Sequence, residues 1–102
     1  MSDLLATADA LYTGALPMER HHPFGFAGEL AEVTPGLAFV AAFSNAAAFA
    51  TDEGLLMVDT SGTFHAGIVH DAVHRWNPAP LHTAVFTHGH VDHVFGLERY
   101  EA

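Results

Sequence analysis

Four side chains that commonly bind metal ions lie within one short stretch, directly after an apolar run. They are His88, His90, Asp92 and His93. Neutral imidazole nitrogens and carboxylate oxygens are good ligands for zinc and similar divalent ions. The sequence contains no cysteine, so thiolate metal sites and disulfides are both excluded. The stretch therefore predicts a metal site built from histidine and aspartate.

The spacing of these four residues suits two neighbouring ions better than one. His88 and His90 are two positions apart, so in an extended segment their side chains point to the same side. Asp92 and His93 are adjacent, and at the start of a helix they would diverge by about 100°. We therefore expect His88 and His90 to serve one ion, and Asp92 and His93 to serve another.

Other polar residues in the chain have simpler interpretations. Asp59 ends an apolar run, where it either forms an Asx turn or orients the metal loop, and the sequence does not choose between the two. Ser61 has no nearby base motif and reads as a turn residue, and Trp76 reads as core. The remaining histidines are expected to be solvated or isolated side chains: His21, His22, His65, His70, His74 and His82.

The charge balance argues against two classes of partner. Twelve acidic residues face three arginines, and the formal net charge is −9. A protein that binds nucleic acid or an anionic membrane needs a basic surface. We therefore expect neither partner. The N-terminus lacks the basic region of a signal peptide, and no apolar run is long enough to span a membrane. We therefore expect a cytoplasmic protein.

Hydrophobic periodicity predicts an α/β layer structure. Runs that are apolar on both faces suggest a sheet covered on both sides. In chain order the predicted elements are a helix over 3–12, a loop over 13–28, strands over 29–33, 37–43, 46–50 and 55–59, a helix over 64–76, a strand over 81–86, and a last helix from Asp92 or His93 through Tyr100.

The pattern H-x-H-x-D-H at residues 88–93 resembles the metal-binding motif of the metallo-β-lactamase superfamily. The segment GLLMVDTSG, 54–62, is similar to an earlier strand of that family. The segment FSNAAAFAT, 43–51, is most similar to the alkyl-sulfatase-like branch of the family. The resemblance implies the N-terminal half of a four-layer αββα sandwich over residues 29–102. Residues 1–28 would form an N-terminal helix and loop extension, and the C-terminal half would lie outside this sequence.

The resemblance also implies a function. Members hold two divalent ions, usually zinc, although iron and manganese are also compatible with these ligands. A metal-bound hydroxide attacks a small-molecule ester, thioester, lactone, amide or sulfate ester. By the same resemblance His88 and His90 bind the first ion, Asp92 and His93 bind the second, and Asp92 also orients the hydroxide as the catalytic residue.

Two departures from the family pattern bear on this expectation. Phe95 stands near a position where many members have glycine, which places an aromatic ring by the site. Three further ligands of the family come from a C-terminal half that this sequence lacks. We therefore expect the 102-residue chain to be inactive alone and to self-associate through an uncovered sheet.

Two other functions fit parts of the sequence. A small, acidic, histidine-rich metal-binding protein without catalysis would use His70 and His74 as much as His90. A nuclease of the same fold is disfavoured by the absence of lysine.

Overall fold

The computed structural model describes residues 4–16 and 28–101, which form one five-stranded sheet with helices against it. The predicted loop over 13–28, including His21 and His22, lies mostly outside these residues. The elements are α1 Leu4–Thr13, β1 Glu29–Thr34, β2 Leu37–Ala41, β3 Ala46–Thr51, β4 Gly54–Val58, α2 Ala66–Trp76, β5 Leu81–Val85, α3 Val91–Val94, a 3₁₀ helix Phe95–Leu97 and α4 Glu98–Glu101.

The sheet follows the chain order, β1-β2-β3-β4-β5. The first four strands form an antiparallel meander, and its tight turns use the glycines that the sequence offers. Gly36 has φ 85 and Gly54 has φ 126, conformations that other residues adopt only with strain. β5 then pairs parallel to β4, after α2 has carried the chain back across the sheet. The predicted α/β class is confirmed.

The main core lies between α2 and one face of the sheet. Val40, Leu55 and Met57 on the strands pack with Val69 and Val73 on the helix, and all five are fully buried. The apolar side chains of this helix therefore face the sheet.

Trp76 closes one edge of this core. Its ring is partly buried against the core, as predicted, and its indole Nε1 donates a 3.0 Å hydrogen bond to Glu32 Oε2.

The opposite face of the sheet, for which the sequence also predicts a cover, is only partly covered within the described residues. Leu4 of α1 packs with Ala31, Ala41 and Phe39 at the β1–β2 end. Further along the same face, Phe49 is 38% exposed and Val85 is 48% exposed. The strands are apolar on both faces, but α1 is too short to cover more than one end.

This open face supports the prediction that residues 1–102 self-associate, because exposed apolar side chains on a sheet favour association. Replacing Phe49 with threonine is expected to lower the apparent mass measured by light scattering. As a control, Phe64→Thr removes a 95% exposed ring that lies outside the sheet. A monomer at high concentration, before any substitution, would contradict the prediction.

Most predicted boundaries differ from the structure by one or two residues, and three of them show what ends or begins an element. The strand predicted over 37–43 ends at Ala41, because Asn45 Oδ1 accepts a 3.1 Å hydrogen bond from the Ala42 amide and turns the chain. The helix predicted from residue 64 begins at Ala66, after a turn closed by the His65 amide on the Gly62 carbonyl. The strand predicted over 81–86 ends at Val85.

The last helix is broken into three short pieces instead of running from residue 92 to Tyr100. Its backbone groups bond elsewhere: the His93 carbonyl accepts from the Thr60 amide at 2.9 Å, and the Gly96 amide donates to the Ser61 carbonyl at 2.9 Å. Tertiary hydrogen bonds thus replace part of the helical ladder. Within the described residues, no helix is long and apolar enough to cross a membrane.

Candidate metal centre

The candidate site lies where the two parallel strands end. Val58 of β4 pairs with Val85 of β5, so the residues that follow both strands meet at the same edge of the sheet. The Asp59 amide continues this pairing with a 2.8 Å bond to the Val85 carbonyl. The strand order therefore brings Asp59 beside the loop that carries His88 and His90.

Asp59 holds this loop through both of its carboxylate oxygens. Oδ1 accepts from the Thr87 amide at 2.8 Å, and Oδ2 accepts from the Thr87 hydroxyl at 2.8 Å. Oδ2 also lies 2.8 Å from His93 Nδ1. Asp59 is 5% exposed. Burial raises the pKa of its carboxyl, but the hydrogen bonds from Thr87 and His93 outweigh that effect, and the pKa lies below the ordinary value.

These contacts fix which nitrogen of His93 can bind a ligand. With Nδ1 donating to the Asp59 carboxylate, the neutral ring carries its lone pair on Nε2. A carboxylate that accepts from the far nitrogen is the usual partner of a metal-binding histidine. The arrangement of His93 and Asp59 therefore fits metal binding through Nε2.

A hydrogen bond to Thr87 fixes in the same way which nitrogen of His88 can bind a ligand. The Thr87 hydroxyl gives its single proton to Asp59, so it can only accept from His88 Nδ1, which lies 3.0 Å away. His88 then also has its lone pair on Nε2. The ring centroid of His88 is 4.6 Å from that of His90 and 4.1 Å from that of His93. The structure thus brings all three predicted imidazoles together.

Asp92 joins this group from the first turn of α3. Its Oδ2 accepts a 2.6 Å hydrogen bond from Ser44 Oγ and lies 3.5 Å from His93 Nε2. The Ser44 hydrogen bond lowers the pKa of the Asp92 carboxyl, and the neighbouring histidines lower it further. Asp92 is therefore an ionised oxygen donor close to the free nitrogen of His93.

Hydrogen bonds and close approaches to backbone atoms hold the loop against the β4–α2 connection. Thr60 Oγ1 lies 3.1 Å from the carbonyl oxygens of both His93 and Val94. A Cβ atom on Gly96 would lie 1.8 Å from the Thr60 carbonyl oxygen, and one on Gly62 would lie 3.0 Å from the Asp92 Cα. Glycine at these two positions allows the close approach.

The donor set fits divalent metals in type but is incomplete for one full coordination shell. Within residues 4–16 and 28–101, no group of three or more histidine, aspartate or glutamate side chains is arranged to hold an ion. Hydrogen bonds to Asp59, Thr87 and Ser44 hold His93, His88 and Asp92 in place, and the assignment of the four residues to two ions stays a prediction.

The other singled-out residues that the structure describes make no hydrogen bond to this group, although Ser61 and His65 line a cleft beside Asp92. His82 pairs with Glu53 at 3.1 Å, and the His65 ring stacks near Phe43 at 6.2 Å. Ser61 adopts φ 66 in its loop, and its buried Oγ has no hydrogen-bond partner within the described residues. Phe95 lines a cleft of about 440 Å³ with His70 and Arg99, away from the four predicted ligands.

Sequence reasoning did not identify Ser44, Thr60 or Thr87 as part of the site. Thr87 adjoins the motif, so its position was a usable signal. Ser44 and Thr60 are separated from their partners by 48 and 33 residues. Only the fold brings them to the loop.

Replacing Asp59 with asparagine is expected to lower the free energy of unfolding by about 3 kcal/mol at pH 7, because the charge is lost and an NH2 group, which cannot accept, replaces one of two buried acceptor oxygens. Ionised Asp59 stabilises the fold above its unfolded pKa of 3.8, and that stability is lost as pH falls through the lower folded value. The difference between the two proteins should therefore shrink below that pH.

Urea unfolding at neutral and acidic pH measures this difference. Asp52→Asn serves as the control, since Asp52 lies in an exposed turn. An Asp59→Asn protein as stable as the parent at neutral pH would contradict the prediction.

Comparison with known proteins identifies the family. The model of the Metallo-beta-lactamase superfamily matches residues 39–101, more than half of the chain. The chain belongs to this superfamily and represents an N-terminal portion of its fold. The family comprises metal-dependent hydrolases, and its members typically bind divalent metals.

Two solved structures are similar to the chain. One is a double mutant of the sec-alkyl sulfatase PisA1, with 28% identity and a TM-score of 0.60 over 72% of this chain. The other is BJP-1, a subclass B3 metallo-beta-lactamase of Bradyrhizobium japonicum, with 19% identity and a TM-score of 0.63 over 78% of this chain. The matches span 12% of the sulfatase chain and 31% of BJP-1. No curated protein matches the chain.

Proposed function

We propose that this chain supplies part of the active site of a metallo-β-lactamase-fold hydrolase that uses two divalent metal ions. The observation that carries the proposal is the hydrogen-bond chain from Asp59. It reaches His93 directly and His88 through Thr87, and it leaves Nε2 of both rings able to bind an ion. Surface histidines have no need of such a shared, buried anchor.

The proposed ligands divide into two pairs. His88 and His90 would hold one ion, and Asp92 and His93 the other. Catalytic zinc sites usually have three protein ligands, so each pair needs at least one more. In this proposal the missing ligands lie outside the 102 residues, in the remainder of a longer protein or in a partner chain. The chain matches only a small share of each similar structure, which supports the placement of further ligands outside these residues.

When bound, two divalent ions lower the pKa of water toward about 7 and stabilise negative charge that develops during hydrolysis. The chain's own residues prepare the site. Asp59 and Thr87 orient the imidazoles, and Asp92, ionised at neutral pH, can accept a hydrogen bond from the attacking water and so orient it. Asp92 is therefore the proposed catalytic residue, and zinc is the proposed metal, with iron or manganese compatible with the same ligands.

The proposed substrate is a small molecule with an ester, thioester, lactone, amide or sulfate ester bond. A cleft of about 310 Å³ flanks Asp92, and Phe43, Phe64 and Val91 contribute to its wall. Such a wall favours an apolar group beside the bond that is cleaved. Similarity to an alkyl sulfatase supports a sulfate ester among these candidates. We also propose a cytoplasmic location, which the absence of cysteine fits.

Removal of metal tests this function. The intact protein is expected to hydrolyse an alkyl sulfate or an aryl ester, to lose that activity on treatment with a chelator, and to regain it with zinc or manganese. Isolated residues 1–102 should show no turnover because their ligand set is incomplete. Chelator-resistant turnover, or metal-dependent turnover by the isolated chain, would contradict the proposal.

One observation favours the alternative of a histidine-rich metal-binding protein without catalysis. On α2 the ring centroids of His70 and His74 lie 4.2 Å apart. His70 Nδ1 contacts Asp71, and His74 Nδ1 contacts the His70 carbonyl, so neither contact uses the Nε2 atoms. In that function His74→Ala would weaken zinc binding as much as His90→Ala, whereas the hydrolase requires only residues 88–93.

A further inference from the structure

Ser44 makes a buried contact to the metal loop that the proposed function does not by itself require. The residue is 4% exposed, and its Oγ lies 2.6 Å from Asp92 Oδ2. Because a serine hydroxyl is the only donor of this pair and Asp92 is ionised, Ser44 donates and Asp92 accepts. Hydrogen bonds to a carboxylate at this distance are among the stronger ones in proteins.

The turn that contains Ser44 is held by a different side chain. Asn45 Oδ1 accepts from the Ala42 amide at 3.1 Å, and the Val40–Ala46 pairing of β2 with β3 fixes both ends of the turn. Within the described residues, the Ser44 hydroxyl makes no hydrogen bond to that framework; its partner lies on another element, 48 residues away. The hydroxyl therefore acts on Asp92 and not on the turn.

Asp92 needs such a restraint because its own element provides little. α3 has only four residues, and the Asp92 side chain is 37% exposed. A carboxylate at the start of so short a helix can rotate between several rotamers. One of its oxygens, Oδ2, is fixed by Ser44 on one side and lies 3.5 Å from His93 Nε2 on the other.

We infer that Ser44 is a positioning residue, whose hydroxyl holds the Asp92 carboxylate beside His93 Nε2 so that the two can bind one divalent ion together. This inference rests on the proposed function, since Asp92 is a ligand only if the loop binds metal. Ser44 also lines the cleft beside Asp92, but its hydroxyl is bonded to Asp92 and acts on the ion through that carboxylate. Hydrogen-bonding partners of metal ligands commonly contribute 10- to 100-fold to metal affinity.

The test is a titration of the metal-free intact protein with zinc and with cobalt, in which the two binding steps are resolved. Ser44→Ala is expected to weaken the step that depends on Asp92 by roughly 10- to 100-fold. The step that depends on His88 and His90 should stay within about twofold, because within the described residues Ser44 makes no hydrogen bond to either ring. The visible absorption of the cobalt protein should change for the Asp92 ion alone.

Two variants separate this role from a general effect on packing. Ser44→Thr retains the hydroxyl and should restore the affinity of the weakened step. Ser61→Ala removes a serine hydroxyl that is equally buried, in the same region, but that has no hydrogen-bond partner within the described residues. It should leave both binding steps unchanged.

The outcomes distinguish this inference from the proposed function. If Ser44→Ala binds both ions as the parent does, or if both steps weaken together with the melting temperature, Ser44 is not a positioning residue and the hydrolase proposal stands. If the parent protein binds no ion at the loop, the proposed function fails, and the inference fails with it. Selective weakening of the Asp92 step, with rescue by threonine, supports both.

Discussion

Replacing His90 with alanine is expected to remove one metal ion from the intact protein and to lower its hydrolytic rate by at least about 100-fold. Ions in such sites supply several kcal/mol of charge stabilisation in the transition state, and each 1.36 kcal/mol corresponds to a factor of about ten in rate. His90 shares a ring contact with His88, so its loss leaves that ion with a single imidazole from this chain. Metal content by mass spectrometry and the rate with an aryl ester measure the two effects.

His82→Ala and His74→Ala are the matched controls for this substitution. His82 is a half-exposed histidine on β5, where it pairs with Glu53, and His74 lies on α2. Both proteins should keep the full metal content and the full rate. A His90→Ala protein that retains both ions would contradict the assignment of the loop, and a His74→Ala protein that loses one would favour the metal-binding protein without catalysis.

Replacing Gly96 with alanine is expected to lower the free energy of unfolding by about 3 kcal/mol, near the upper end for overpacking a closely packed position. The added Cβ would lie 1.8 Å from the Thr60 carbonyl oxygen and 2.8 Å from the Ser61 carbonyl oxygen. Both are backbone atoms, so the contact is relieved only by moving the loop away from the β4–α2 connection. That movement would also break the bond from the Gly96 amide to the Ser61 carbonyl.

Gly89→Ala is the control for this prediction because Gly89 lies in the same loop with nothing within 4 Å of the added Cβ. Urea unfolding of the two variants gives the comparison. Equal stability of Gly96→Ala and the parent would show that the loop does not pack against residues 60–61 in this way. Gly96→Ala is also expected to weaken metal binding, since Asp92 and His93 move with the same segment.

Much of the fold could be predicted from local pattern. Apolar runs predicted five strands and the helix over 64–76 in the order that the structure shows, with differences of one or two residues at the ends. These features depend on neighbours in sequence. The four metal-binding residue types could be predicted for the same reason, because they lie within one loop.

Features set by tertiary contacts could not be predicted in this way. The last helix has helical periodicity, but Thr60 and Ser61 take backbone bonds that a continuous helix would need. The open sheet face has the same apolar composition as the covered one, so composition could not show which face α1 and α2 would leave exposed. Ser44 carried no local signal at all.

The role of Asp59 could be predicted only in part from the sequence. Its position at the end of a strand allowed either an Asx turn or an orienting role, and the sequence left both open. In the structure it adopts φ 62 and bonds to Thr87 and His93 on the metal loop. The parallel pairing of β4 and β5, which the sequence does not state, decides where the carboxylate points.

If the loop at residues 88–93 binds divalent metal for hydrolysis, the number of ions bound to the intact protein, counted by native mass spectrometry, shows it most directly. We expect two ions for the parent protein and none after His88 and His93 are replaced together by alanine. A parent protein without bound metal, or a double variant that keeps both ions, would contradict metal binding by this loop.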